Sequence, residues 1–240
     1  MGTWRGGRQE KRGGDVRVVA LVAARGGSQR VQDKNTRPFA DSTLLDIKLG
    51  QLIRVRGIDE IVVSSENERI LKIARKHGCV AKRRPGSLAS SEAPMSEVYR
   101  HMASELEAET ILYANCTSPL IRDATVEDLI ETFMSMDEDH DSVSTTSLVR
   151  EFLLRDGSPI NYDPANQPRS QDLPRIDALN FAINILPRTT MIERKNVLGY
   201  APVLRVLDEI EGIDIDTPTD FAVAEFLYES YGGEAHLRRR

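Results

Sequence analysis

Apolar positions in this chain fall into two kinds of run. Val16 to Ala23 is almost continuously apolar, as in a strand covered on both faces of a parallel sheet. Leu44, Leu45, Ile47, Leu49, Leu52 and Ile53 instead recur at helical spacing, and Gly57 closes that helix. Ile61-Val62-Val63 then predicts a short β-branched strand. Glu68 to His77 predicts an amphipathic helix with Ile70, Leu71, Ile73 and Ala74 inward, stopped at Gly78. A helix over 95–106, a strand over 110–114 and a helix over 125–136 continue the alternation. Strands alternating with helices of this length predict an α/β fold, with right-handed crossovers and a mostly parallel sheet.

The pattern changes after Asp141. Residues 142–147 read as a strand, but 156–174 is crowded with Pro, Asn, Gly and Asp and has little periodicity. Apolar strands resume at 178–183 and 201–207, which makes the intervening stretch a long functional loop or protruding arm rather than a linker. Thr217 begins a last helix with Pro218 in its first turn and Asp220 close behind; Phe221, Ala224, Phe226 and Leu227 are expected to pack inward. One domain over residues 16–232 is expected, with the arm inside about 148–200. The Gly-rich basic stretch 1–15 and the closing residues 233–240 read as disordered tails.

Bulk composition narrows the partners. At 240 residues, 40% hydrophobic, 29% charged and net −5, the chain can bury a full core and lacks the basic excess of a nucleic-acid binder. It has no stretch long and apolar enough for a membrane span and no hydrophobic leader segment, so a cytoplasmic protein is expected. Cys79 and Cys116 are far apart, with no spacing that suggests a zinc site.

Candidate chemistry begins where the first strand ends, at "AARGGSQRVQDKN" (residues 23–35). Neither the dinucleotide G-x-G-x-x-G nor the P-loop G-x-x-x-x-G-K-[ST] spacing can be laid on Gly26-Gly27-Ser28. What remains is a glycine loop whose amides can approach an anion, bracketed by Arg25, Arg30 and Lys34. In "GIDIDTPTDF" (residues 212–221), an extended backbone would turn Asp214 and Asp216 to one side and Ile213 and Ile215 to the core. Two such carboxylates repel, and Mg²⁺ shared with substrate phosphates resolves the repulsion. The plainer alternative makes Asp216 only the cap of the final helix. "NCTSPLIRD" (residues 115–123) and "KRRPGSLAS" (residues 82–90) each follow a strand, where ligands of open α/β sheets sit or where an ordinary turn would serve. None of the four histidines is placed for catalysis.

Those segments, with "SQDLPRIDALNFAI", occur in the order and approximate spacing of the acylneuraminate cytidylyltransferases, which the chain resembles from about Val18 to Tyr228. The resemblance implies a Rossmann-like nucleotidyltransferase fold, a homodimer built through the arm, and Mg²⁺-dependent transfer of CMP from CTP to an acidic 2-keto sugar. Carried over by position, Arg25 and Lys34 would bind the triphosphate and steady the departing pyrophosphate, with Gly26, Gly27 and Ser28 around the phosphates. Ala23, Asn35, Arg84 and Asn115 would line the nucleotide, Asp214 and Asp216 would hold the metal, and Arg169, Gln171, Arg175 and Asn180 would face the sugar. Such in-line attack on the α-phosphorus needs alignment and charge neutralisation more than a covalent catalyst.

The chain departs from the family's pattern at Gln29, where a Lys is usual, at Asn115, where Gln is usual, and at Phe181 and Asn184 in the sugar-facing segment. Other acceptors (3-deoxy-octulosonate, a phosphonate), guanylyl transfer, and a non-catalytic nucleotide-binding relative are the alternatives.

Overall fold

The computed structural model describes residues 17–28, 30–90 and 92–239. The predicted tail at 1–15 and the departure at Gln29 lie outside them. The first half alternates as expected: β1 (Val18–Ala23), α1 (Leu44–Arg54), β2 (Glu60–Ser65), α2 (Glu68–Lys76), β3 (Val80–Arg83), α3 (Met95–Ser104), β4 (Thr110–Ala114) and α4 (Asp123–Ser135). Then come β5 (Ser142–Leu148), the two-residue strands β6 (Leu154–Arg155) and β7 (Ser158–Pro159), β8 (Asp177–Pro187), α5 (Arg188–Arg194), β9 (Pro202–Val206), α6 (Pro218–Ser230) and α7 (Glu234–Leu237).

The main sheet has seven strands in the order β3-β2-β1-β4-β8-β5-β9. Every pairing is parallel except those of β8, which runs antiparallel to both β4 and β5. Strand order reverses at β1, whose neighbours are β2 and β4, so the crevice for a ligand opens beyond the carboxyl ends of β1 and β4. Because β8 is antiparallel, residues 149–176 leave β5 and return to β8 at that same edge.

Alternation along β1 explains why both faces are covered. Val18, Ala20 and Val22 enter one core with α1, α2, α4 and α6, while Val19 and Leu21 enter a second core with α3 and α5. The continuous apolar run was therefore a faithful sign of a two-faced sheet.

Several local readings change. β3 is a short, charged edge strand (Val-Ala-Lys-Arg) with no periodic signal, and it pairs because Val62 to Ser65 present a ladder to it. Phe226 and Ile53, expected inward, are exposed, and Tyr228 takes the inward place on α6. Of the closing residues read as a tail, 234–237 form α7, with His236 and Leu237 buried and Glu234 paired to Arg54. That docking rests on a contact 180 residues away, which no local composition could reveal.

Candidate functional site

The glycine loop leaves β1 at the reversal point, and two positions in it require glycine for different reasons. Gly27 has φ +71°, a left-handed backbone that other residues rarely adopt. Gly26 is pressed against the turn after β2, where a Cβ would lie 2.3 Å from Asn67 Nδ2. The Gly26 amide donates to Glu66 Oε1 at 2.7 Å, so an anion does sit on this loop, and it is the chain's own carboxylate. Arg25 is exposed and Ser28 half-buried beside it.

Past the loop, tight turns around Asp33 (φ +50°) return the chain, and Thr36 and Arg37 amides donate to Asp33 O at 2.8 Å. Arg37 lies over the Phe221 ring, Phe39 packs edge-on to Phe221 at 5.3 Å, and the Ala40 amide donates to Glu225. These contacts anchor the loop to α6, and so bring it to the segment that carries Asp214 and Asp216.

There, Lys34 Nζ donates to Ile215 O at 2.5 Å and lies 3.8 Å from Asp216 Oδ1, which also receives Arg30 at 2.8 Å. The α6 cap is Thr217, whose hydroxyl accepts from the Asp220 amide while Asp220 accepts from the Thr217 and Asp216 amides. Asp216 is therefore not the cap, and its side chain is left for the cations.

Asp214 is bonded by Thr117, and its Oδ1 is buried with no hydrogen-bond partner among the described residues. Burial raises its pKa, and the nearby Asp216 carboxylate pushes in the same direction. Burial lowers the Lys34 pKa, against the pull of Asp216 and Asp214. A half-buried carboxylate with an orphaned oxygen beside a second carboxylate suits a hard divalent cation. Among the described residues no three His, Cys, Asp or Glu side chains converge. Two carboxylates plus ligand oxygens is the mode that fits Mg²⁺.

The loop after β4 is held from below. Fully buried Lys48 donates to Ser118 O at 3.0 Å and to Gln51 Oε1, and Gln51 donates to Ile121 O. Burial lowers the Lys48 pKa to about 8 and raises that of Cys116 to about 12, so Cys116 is a thiol, not a nucleophile. From this loop Thr117 O accepts the Ile215 amide at 2.9 Å, and buried Glu211 accepts from the backbone and guanidinium of Arg122 and from Thr125. Asn115, half-buried, donates its amide to Ala182 O. Asn35 is buried with its Oδ1 unpartnered among the described residues.

Lys34, Asp214 and Asp216 are thus brought together, with Arg30 and Thr117 added, while exposed Arg25 acts on Lys34 only as a nearby charge. Arg84 is linked to the loop through Glu66, whose Oε2 lies 3.4 Å from the guanidinium. Glu66 and Thr117 were missed by sequence reading; each sits just past the carboxyl end of a strand, and that position was the available signal. Three of the four sugar-facing candidates have partners of their own, and the fourth is exposed. Arg169 pairs with Asp172, Arg175 pairs with Asp177, and Gln171 is exposed. Asn180 is committed to the sheet: its Oδ1 accepts from Thr145 and the Ala182 amide, and its Nδ2 donates to Ser147. It holds the irregularity between Ser144 and Thr146, beside Phe181 at φ +56°.

Residues 19–158 match the family model described as "Cytidylyltransferase". Post-translational flagellin modification protein B of Campylobacter coli is 27% identical over 88% of this chain and 94% of its own. The CMP-N,N'-diacetyllegionaminic acid synthase of Legionella pneumophila is 28% identical over 89% and 97%. In fold, the chain is similar to a CMP:2-keto-3-deoxy-manno-octonic acid synthetase solved with CTP, at TM-score 0.66 and 15% identity, covering 89% of this chain and 99% of that one. With its match to more than half of the chain, the family is established: this protein belongs to the cytidylyltransferases and is a nucleotidyltransferase enzyme.

Proposed function

We propose that this enzyme transfers CMP from CTP to a nonulosonate, an acidic 2-keto sugar of the sialic or legionaminic type, and releases pyrophosphate. The observation that carries the reading is the junction of the glycine loop with the Asp-x-Asp segment, where Lys34 and Arg30 meet Asp216 beside half-buried Asp214. The resemblance to a legionaminic acid synthase over nearly the full length of both chains supports the acceptor class.

In this reading Arg25, Lys34, Gly27 and Ser28 bind the triphosphate, and Lys34 and Arg25 stabilise charge on the departing pyrophosphate. Ala23, Asn35, Arg84 and Asn115 line the nucleoside. Asp214 and Asp216 hold Mg²⁺, which when bound neutralises phosphate charge and lowers the pKa of the attacking hydroxyl. Arg169, Gln171 and Arg175 face the acceptor from the arm, and Asn180 shapes the strand beneath. A homodimer joined through the arm and a cytoplasmic location complete the proposal; no helix among the described residues is long and apolar enough to cross a membrane.

Pyrophosphate release with Mg²⁺, measured for each of the four NTPs against N-acetylneuraminate, a legionaminate and 3-deoxy-octulosonate, tests it. Release only with CTP and a nonulosonate is expected. Preference for 3-deoxy-octulosonate or GTP would overturn the substrate assignment.

A further inference from the structure

Glu66 stands at an unusual place for a carboxylate, inside a site built for anions. It follows Ser65 at the end of β2, and Arg84 follows Arg83 at the end of β3, so the register that pairs Ser65 with Arg83 sets them side by side. The turn that carries Glu66 is fixed at both ends. Arg84 N donates to Ser65 O at 2.9 Å, Asn67 N to Ser65 Oγ at 3.1 Å, and Asn67 Oδ1 caps α2 through the Arg69 and Ile70 amides. Arg83 also donates to Glu66 O at 3.0 Å.

Arg84 itself is only 5% exposed, and its guanidinium is poorly satisfied. Its Nη1 reaches Met102 Sδ at 3.6 Å, and its Nε has no partner among the described residues. Glu66 sets its carboxylate 3.4 Å from this buried cation, and the same carboxylate takes the Gly26 amide. A buried guanidinium left without a counter-charge is costly, and a guanidinium free to swing has lost its orientation. The close approach of Gly26 to Asn67 shows independently that the loop backbone is seated on this turn.

We propose that Glu66 is a positioning residue that sets the glycine loop and Arg84 together, one carboxylate oxygen on each, so that the phosphate-binding backbone and the nucleoside-facing guanidinium are aligned as one unit. This rests on the nucleotidyl-transfer reading above. Because the effect is on nucleotide placement, it belongs in the KM for CTP and leaves the KM for the acceptor sugar alone.

The test compares wild type with Glu66→Gln, Glu66→Ala, Arg84→Met and the Glu66→Ala/Arg84→Met double variant, with kcat and both KM values measured on folded protein. Glu66→Gln keeps an acceptor for the Gly26 amide and loses the counter-charge; a rise in KM for CTP of about tenfold is expected. Glu66→Ala loses both and is expected to rise roughly 30- to 100-fold, with the acceptor KM within about twofold of wild type. The double variant is expected to exceed Arg84→Met alone only by the share of the Gly26 contact, about three- to tenfold, and so to fall short of additivity by the share of the Glu66–Arg84 pair. A CTP KM within about twofold of wild type in both Glu66 variants, or fully additive losses in the double variant, would overturn the proposal. A merely structural role would lower the melting temperature and active fraction with both KM values unchanged, which also overturns it. If wild type itself releases no pyrophosphate from CTP, the functional reading fails instead. CTP titrated calorimetrically into the same variants then decides the Glu66 proposal through the same pattern in Kd.

Discussion

Around Asp216, the partners come from the other end of the chain: Lys34 reaches Ile215 across 181 residues and Arg30 reaches Asp216 across 186. In the arm, Arg169 bonds Asp172 and Arg175 bonds Asp177, each only a few residues away and each on an exposed guanidinium. The first region is wired into two packed elements and is preorganised before any ligand arrives. The second is a set of local pairs worth little individually. In the proposed reading the nucleotide end is therefore held by long-range contacts, while the acceptor-facing pairs are local.

The largest expected effect breaks the wired region. Lys34→Ala or Asp214→Asn should lower kcat by about 10²–10³ while far-UV circular dichroism stays that of wild type, since preorganised charge in the transition state is lost and the core is not. Wild-type turnover in either variant at saturating substrate would disprove the site assignment.

A smaller effect is expected in the arm. Arg169→Ala and Arg175→Ala should raise the KM for the acceptor by about tenfold, with the CTP KM unchanged. Their melting temperatures should stay within about 2–4 °C of wild type, because exposed pairs contribute at most about 1 kcal/mol. Changes in the CTP KM of equal size would erase the division between the two regions.

The smallest effect concerns stability. Burial and Asp216 raise the Asp214 pKa. A group raised on folding binds its proton more tightly in the folded state, so its contribution is present below the unfolded carboxylate value and is lost as pH rises through the raised one. At neutral pH its ionised form therefore destabilises the metal-free protein. Asp214→Asn, measured in chelator, should melt about 2–4 °C above wild type at pH 7, the shift for roughly 1 kcal/mol in a chain of this size. That gain should shrink as pH falls toward 4. A lower melting temperature at pH 7 would show that Asp214 is needed for folding and not strained for function.

Much of the nucleotide end was legible in the sequence. The continuous run at Val16 to Ala23 announced a two-faced sheet, and a glycine pair among cations plus an Asp-x-Asp had few other uses. Local spacing could not show that the Gly26 amide is taken by Glu66, because that contact joins the ends of β1 and β2 across the sheet. It also could not show that Thr117 supports Asp214, or that α7 docks on Arg54. Asn180 read as a ligand contact because the family resemblance placed it in the sugar-facing segment. Here the antiparallel β8 needs it to satisfy Thr145 and Ser147 at a register shift, a demand visible only once β8 is paired. The antiparallel direction of β8 was itself hidden, since periodicity carries no information on strand polarity.

Nucleotidyl transfer to a nonulosonate leaves a distinct fate for each phosphorus of CTP. The enzyme is incubated with Mg²⁺, a nonulosonate and CTP labelled at either the α- or the γ-phosphorus, and the products are separated and weighed by mass spectrometry. The α label is expected in a CMP-linked sugar acid, with one equivalent of pyrophosphate carrying the γ label. Transfer of the γ label to the acid, or no labelled sugar with any nonulosonate supplied, would contradict the account.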